Sequence, residues 1–257
     1  MQKLIFGVYG LICYTLGLVS LIGFAFFANN TFVDIGLALN TPILGIFAID
    51  IAAAMTPMPA LLTNILLVIL FALQHTVMAR ASFKAKLTKV VPAPLERSTY
   101  VLATALVIFV MLLFWRPMTD TIWSVEDPML RTIISALFWG GWVITFLATQ
   151  MIDGMHLMGI RQSMNADASD AQNKTFVTPL FYKLVRHPIQ TGVIIAMLAT
   201  PDMTEGRAIL AVGIIIYIIV GLHYEEKDLI KEFGDTYRDY MKRVPGLFPR
   251  LFISKKQ

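Results

Sequence analysis

The sequence predicts an all-α integral membrane protein, a bundle of about five or six transmembrane helices closed by a C-terminal helical hairpin and a cytoplasmic amphipathic tail helix. Three observations carry that expectation. Hydrophobic residues make up 57% of the 257 and charged residues only 15%, against roughly 25% charged in an ordinary soluble domain; mean hydropathy is +0.69. Apolar stretches recur from Leu4 to Leu222 with no long polar linker, which favours one membrane domain over 1–257, about 4–152 being N-terminal helices and about 153–257 a loop, hairpin and tail. Basic residues gather beside these stretches, so the net charge of +4 needs only cytoplasmic anchoring at an anionic leaflet. A soluble monomer, a disordered chain and a disulfide scaffold are excluded, since apolar residues dominate and Cys13 is the only cysteine. No aromatic-basic patch marks a nucleic-acid surface.

The first span runs from about Leu4 to Phe27 and is retained, because its core is too long for a signal peptide and Phe26-Phe27-Ala28 is a poor cleavage site. Thr31 to Pro59 carries three prolines and two aspartates without Lys or Arg, which reads as an extracytoplasmic cap of short helical pieces. A second span, about Ala60 to Met78, leads to a loop with Arg80, Lys84, Lys86, Lys89 and Arg97, placed in the cytoplasm by the positive-inside rule. The third, about Ser98 to Trp115, exits to an acidic loop, with Trp115 and Trp123 suited to the outer interface. The fourth, about Arg131 to Ile152, returns to a polar stretch of structured loop and short helices. The last apolar region, Ile189 to Leu222, is broken by Thr200-Pro201-Asp202 and is expected to form a hairpin. Six crossings put both termini in the cytoplasm, where the basic tail agrees. Leu229, Phe233, Tyr237, Tyr240 and Val244 recur at helical spacing and predict the amphipathic tail helix.

Two clusters place ionisable side chains at the mouths of membrane helices, where an unpaired charge is costly. Tyr182, Arg186 and His187 open the hairpin, and Glu225 and Glu226 close it. A hairpin brings its ends together, so a basic-aromatic group and a carboxylate pair can face one pocket. Such a pocket suits a zwitterionic ligand with an amino acid moiety, a ribose and a positive centre. The residues alone leave snorkelling to the headgroups open for the basic pair, and simple solvation open for the acids. No Cys/His metal spacing, dinucleotide fingerprint or phosphate loop is present.

The pattern Arg186-His187-Pro188, Gly192, Glu225-Glu226, Leu229, Phe233-Gly234, Tyr237, Tyr240 and Val244-Pro245 resembles the integral-membrane methyltransferases that include isoprenylcysteine carboxyl and phospholipid methyltransferases. Gln74-His75, Met78-Ala79-Arg80, Glu96 to Leu102, Gly159-Ile160-Arg161-Gln162 and Ala199 to Thr204 are similar to the methanethiol S-methyltransferase group within them. The resemblance spans about Asn64 to Pro249. It implies methyl transfer from S-adenosyl-L-methionine to methanethiol or a similar small thiol, giving dimethyl sulfide or the corresponding methyl sulfide, in a bacterial inner membrane. Gly221 stands where isoprenylcysteine methyltransferases carry a substrate-binding arginine, which makes a prenylated cysteine a poorer acceptor.

The expected cofactor-binding residues are Gln162, Tyr182, Arg186, His187, Glu225 and Glu226; His187, Arg186 and His75 are the catalytic candidates, and His75 and Tyr100 would meet the acceptor. Which glutamate touches the cofactor is open. Chemically, a sulfonium donor has a good leaving group, so alignment and a deprotonated nucleophile are what the site must supply. A thiol with an ordinary pKa of about 8.5 or above needs a nearby cation or base. The expected partners are a small thiol and membrane lipids, with no nucleic acid and no metal. Two alternatives stand: the same fold acting on a phospholipid amine or isoprenoid-like acceptor, and a noncatalytic membrane scaffold or transporter.

Overall fold

The computed structural model describes residues 1–51, 59–164 and 176–250. The chain opens with α1 (Gln2–Ala28), followed by the short α2 (Thr31–Ala38) and a 3-10 turn at Pro42–Phe47. These pieces fold over the end of α1: Ile49 N–H donates to the Phe27 carbonyl at 3.1 Å and Asn30 Nδ2 to Asp50 at 2.7 Å. They are the short helical pieces expected of the cap; its segment 52–58 lies outside the described residues. Next come α3 (Ala60–Ala79), α4 (Ala81–Leu87) in the basic loop, and α5 (Glu96–Phe114).

After α5 a strand, β1 (Thr121–Ser124), precedes α6 (Pro128–Met151). Asp127 caps α6 by accepting from Leu130 N–H at 2.8 Å, and Pro128 takes the position where no N–H is missed. Two short helices, α7 (Gly154–Leu157) and α8 (Ile160–Met164), lie in the polar stretch; residues 165–175 of that stretch are outside the described residues. The hairpin is α9 (Pro188–Leu198), β2 (Asp202–Thr204) and α10 (Glu205–Phe233), and α11 (Asp235–Arg243) follows.

Among the described residues, α1, α3, the stretch Ala93–Phe114 that ends in α5, α6 and α10 are long and apolar enough to cross a membrane. Their outward faces carry exposed Leu, Ile and Val, as Leu4, Val8, Ile12 and Val19 do on α1, because lipid is as apolar as the core. Small residues let helices close up. A Cβ on Gly141 of α6 would sit 2.5 Å from the Gly192 carbonyl of α9.

With 11 residues, α9 reaches only about 16 Å, half of a bilayer core of about 30 Å. The arm nevertheless returns across the full thickness: His187 at its start meets Glu226, and its end joins α10 at Glu205. Residues 199–204, which leave the helix and end in the strand β2, supply the remaining length. Their backbone is satisfied by antiparallel pairing of β2 with β1, and by Val125 N–H donating to the Pro201 carbonyl at 2.9 Å. The hairpin expectation holds, but the sequence reading had no strand in it.

Two further expectations are corrected. Trp115 is not an interfacial residue: it is fully buried, edge-on to Phe27 at 5.8 Å, because the cap folds over the end of α5. The tail is not one helix either. Leu229 and Phe233 belong to α10, the chain breaks at Gly234 with φ of 57°, and Tyr237 and Tyr240 are buried on α11. Glycine adopts that left-handed conformation without the steric cost a side chain would bring.

Candidate active site

The end of the bundle that gathers the ionisable residues has two compartments separated by α10. Behind α10 lies an ion cluster. Arg186 Nε and Nη2 reach Glu226 Oε1 at 2.8 and 2.7 Å, and His187 Nε2 lies 2.9 Å from the same oxygen. The tail completes it: Arg186 Nη1 donates to the Val244 carbonyl at 2.6 Å, and the backbone N–H groups of Arg186 and His187 donate to Pro245 and Gly246. Thr191 Oγ1 donates to the Leu247 carbonyl at 2.6 Å. His187 is buried, and the cluster's side-chain contacts to Glu226 converge on the one oxygen, Oε1.

In front of α10 is a cavity of about 330 Å³ lined by α3, α5, α10 and Gln190 of α9, at the small end of ligand pockets of about 300–1,000 Å³. Glu225, next to Glu226 and so rotated by about 100°, keeps its surface open to this space. Gln190 Nε2 lies 3.4 Å from Glu225 Oε2. Arg80, Arg97, Asp228 and Glu232 also line the cavity, so two arginines face three carboxylates. Arg80 pairs with Asp228 at 3.1 Å, and Arg97 places its guanidinium 4.7 Å from the centre of the Tyr100 ring.

The deeper wall is aromatic. The ring of His75 stacks on Phe71 at 5.4 Å and meets Tyr100 at 5.0 Å and Tyr217 at 5.9 Å. Its Nδ1 lies 3.3 Å from Thr104 Oγ1, and the Thr104 hydroxyl in turn donates to the Tyr100 carbonyl at 3.0 Å. Packing on three rings and a hydroxyl fixes the orientation of the imidazole.

Of the expected site residues, His75, Tyr100 and Glu225 line one cavity, while Arg186, His187 and Glu226 form the cluster behind it. Gln162 and Tyr182 line neither. Gln162 Nε2 donates to the His156 carbonyl at 3.0 Å, while its buried Oε1 has no hydrogen-bond partner among the described residues. Tyr182 donates to the Ala148 carbonyl at 3.4 Å and accepts from Tyr240 at its own carbonyl. Burial pushes the Tyr182 hydroxyl well up from its ordinary pKa and that of Tyr240 up to about 12, so both remain donors.

Sequence reasoning missed Tyr217 and Thr104, and read Arg97 only as a helix-terminal charge. A signal existed for Tyr217: it precedes Glu225 by two helical turns, with Gly221 midway between them on that face. Among the described residues, no group of three or more His, Cys, Asp or Glu is placed to hold a metal.

Fold and site together define an integral-membrane helical bundle with a cavity lined by two arginines and three carboxylates at one end and an aromatic wall behind it. A methanethiol S-methyltransferase of Pseudomonas deceptionensis is 45% identical over 193 residues, 75% of this chain and 74% of the relative. Methanethiol S-methyltransferase 2 of Bradyrhizobium diazoefficiens is 42% identical over 210 residues, 81% of each chain. The match to a methanethiol S-methyltransferase of Crocosphaera subtropica covers 96% of this chain and 92% of the relative at 36% identity. This chain belongs to the methanethiol S-methyltransferase family. Nurim of Xenopus laevis is more distant, 29% identical over 59% of this chain and 56% of its own length. No family model and no solved structure matches the chain.

Proposed function

We propose that the chain is an S-adenosyl-L-methionine-dependent S-methyltransferase that converts methanethiol, or a similar small thiol, to dimethyl sulfide or the corresponding methyl sulfide. The observation that carries the reading is the split of the carboxylate pair: Glu226 is held by Arg186 and His187, leaving Glu225 to face the cavity beside His75 and Tyr100. The residues fit such a donor. A sulfonium, an ammonium and a carboxylate together carry one net positive charge, and the cavity's two arginines against three carboxylates complement it. When bound, the donor supplies an electrophilic methyl group on a positive sulfur.

In this reading Glu225 accepts hydrogen bonds from the donor's cationic end, and Arg97 or Arg80 meets its carboxylate. His75, fixed by Thr104 and the ring stack, takes the proton of the incoming thiol, and Tyr100 and Tyr217 exclude water from the attacking sulfur. Arg186 and His187 act through Glu226 as positioning residues. They tie the start of α9 and the tail to α10, which fixes the direction in which Glu225 points. Gln162 braces α8 against α7, and Tyr182 ties the start of the hairpin to α6 and to α11. The basic residues of α4 and of the tail lie at the same end of the bundle as this site, which by the positive-inside rule is the cytoplasmic face of an inner membrane, with both termini on that side.

The test is purified protein in lipid nanodiscs given the methyl donor and methanethiol, with headspace analysis for dimethyl sulfide. Sulfide above a protein-free control is expected; its absence, with the donor shown to bind, sinks the thiol assignment. One observation favours a second reading, a lipophilic acceptor: an apolar groove on the lipid face adjoins the cavity at Thr76 and Tyr217.

A further inference from the structure

An apolar groove of about 680 Å³, twice the volume of the charged cavity, lies between α3 and α10. Its lining is aliphatic apart from Thr76 and Tyr217, and those two residues also line the charged cavity, so the two spaces adjoin there. Ile69, Leu73, Val212 and Ile216 form its walls and are exposed on the outer surface of the bundle, which is the lipid side of these spans. Glycine at 213 sets its floor, since a Cβ there would lie 2.6 Å from Val68 Cγ1. A second apolar groove of about 460 Å³, lined by Val19, Phe26 and Phe109 among others, shares no residue with the charged cavity.

Methanethiol has a single carbon and leaves such a groove empty. We propose that the α3/α10 groove receives the alkyl tail of longer thiols, so that the acceptors include membrane-partitioned alkanethiols whose sulfur reaches His75 past Thr76 and Tyr217. This rests on the methyltransferase reading above. The tail stays among aliphatic side chains like those of lipid, and only the sulfur enters the polar compartment. A phospholipid amine is the weaker occupant, because its phosphate would pass a groove lined by no charged residue. The step itself is a displacement. The thiol proton passes to a base, the acceptor sulfur forms a bond to the methyl carbon, and the bond from that carbon to the sulfonium breaks with its electron pair left on a neutral thioether.

The experiment compares methanethiol, butanethiol, octanethiol and phosphatidylethanolamine as acceptors in nanodiscs, for the native chain and for Ile69→Trp and Val212→Trp, which fill the groove away from the charged cavity. Methyl octyl sulfide is expected from the native chain. Each tryptophan variant is expected to lower octanethiol turnover at least tenfold while methanethiol turnover stays within about twofold. Independently of turnover, an octanethiol carrying a diazirine at its far end should, on irradiation, label peptides of α3 and α10 in the native chain and lose that labelling in the variants. Methylation of methanethiol without octanethiol, equal loss of both in the variants, labelling elsewhere, or methylation of the amine lipid alone would overturn the proposal. Failure with every thiol, methanethiol included, overturns the underlying reading as well, and the two failures are thereby told apart.

Discussion

Glu225 and Glu226 are consecutive on α10 and face different compartments: Glu226 Oε1 lies 2.9 Å from His187 Nε2, whereas Glu225 lines the cavity that also holds His75. One carboxylate therefore carries structure and the other is open to a ligand. Exchanging either for the isosteric amide should separate the two roles. Glu225→Gln is expected to weaken methyl-donor binding at least tenfold, read by calorimetric titration, with little change in thermal unfolding. Glu226→Gln should instead destabilise the fold by about 2 to 3 kcal/mol, since the Arg186 guanidinium loses its charged acceptor and His187 its carboxylate partner. Equal effects of both on unfolding would contradict the division.

His75 is held by rings and by Thr104, so its shape and its chemistry can be tested apart. His75→Phe keeps a flat ring between Phe71 and Tyr217 but removes the nitrogen. Methyl transfer should fall about 100-fold, in the range for loss of a general base, with donor affinity within twofold of the native chain. Raising the pH, which supplies thiolate directly, should restore part of the lost rate; a variant with native turnover would remove His75 from the chemistry.

The contact of Gly141 with Gly192 leaves no room for a methyl group. Gly141→Ala should push α6 from α9 and cost about 2 kcal/mol, within the range for overpacked sites, seen as a lower unfolding midpoint in detergent. Gly140→Ala, one residue away, meets nothing within 4 Å and is the control expected to leave the midpoint unchanged.

Asp202 on β2 accepts from both Nη atoms of Arg131, at 2.9 and 2.6 Å, and these hydrogen bonds, with the charge behind them, hold its pKa down to about 2. A depressed carboxylate contributes stability above its unfolded pKa of about 3.9 and loses it as pH falls toward the folded value. Both side chains are 39% exposed, so screening keeps the contribution under about 1 kcal/mol. The unfolding midpoint of the native chain should exceed that of Asp202→Asn between pH 5 and 7, and the gap should close by about pH 2. A constant gap across that range would assign the effect to packing.

Much of the architecture was legible because apolar runs and basic loops report directly on lipid and leaflet. The spans beginning near Leu4, Ala60, Ser98 and Arg131 and the hairpin broken at Pro201-Asp202 follow from that alone. What escaped depended on partners distant in sequence. Nothing local says that residues 202–204 pair with 121–124, or that Trp115 is covered by the cap rather than lying in the headgroups. At the site, Arg186-His187 and Glu225-Glu226 could be brought to the same end of the bundle from the pattern. The opposite orientation of the two glutamates could not, because it depends on the helical phase of α10 against α9 and α5. Tyr217 and Thr104 looked like ordinary residues of apolar spans until the neighbouring helix placed His75 between them.

The half-helical, half-extended arm from Pro188 to Thr204 has a consequence for biosynthesis. A segment whose residues 201–204 make their backbone hydrogen bonds with 121–125 rather than with one another cannot partition into a bilayer by itself. It needs residues 121–124 already waiting at the far surface, so the hairpin must join the membrane after its predecessors, as a guest of the strand they display. Chains with Thr121–Ser124 replaced by a glycine-serine run should therefore leave Ile189–Leu198 untranslocated, as a cysteine-accessibility scan of that segment would reveal.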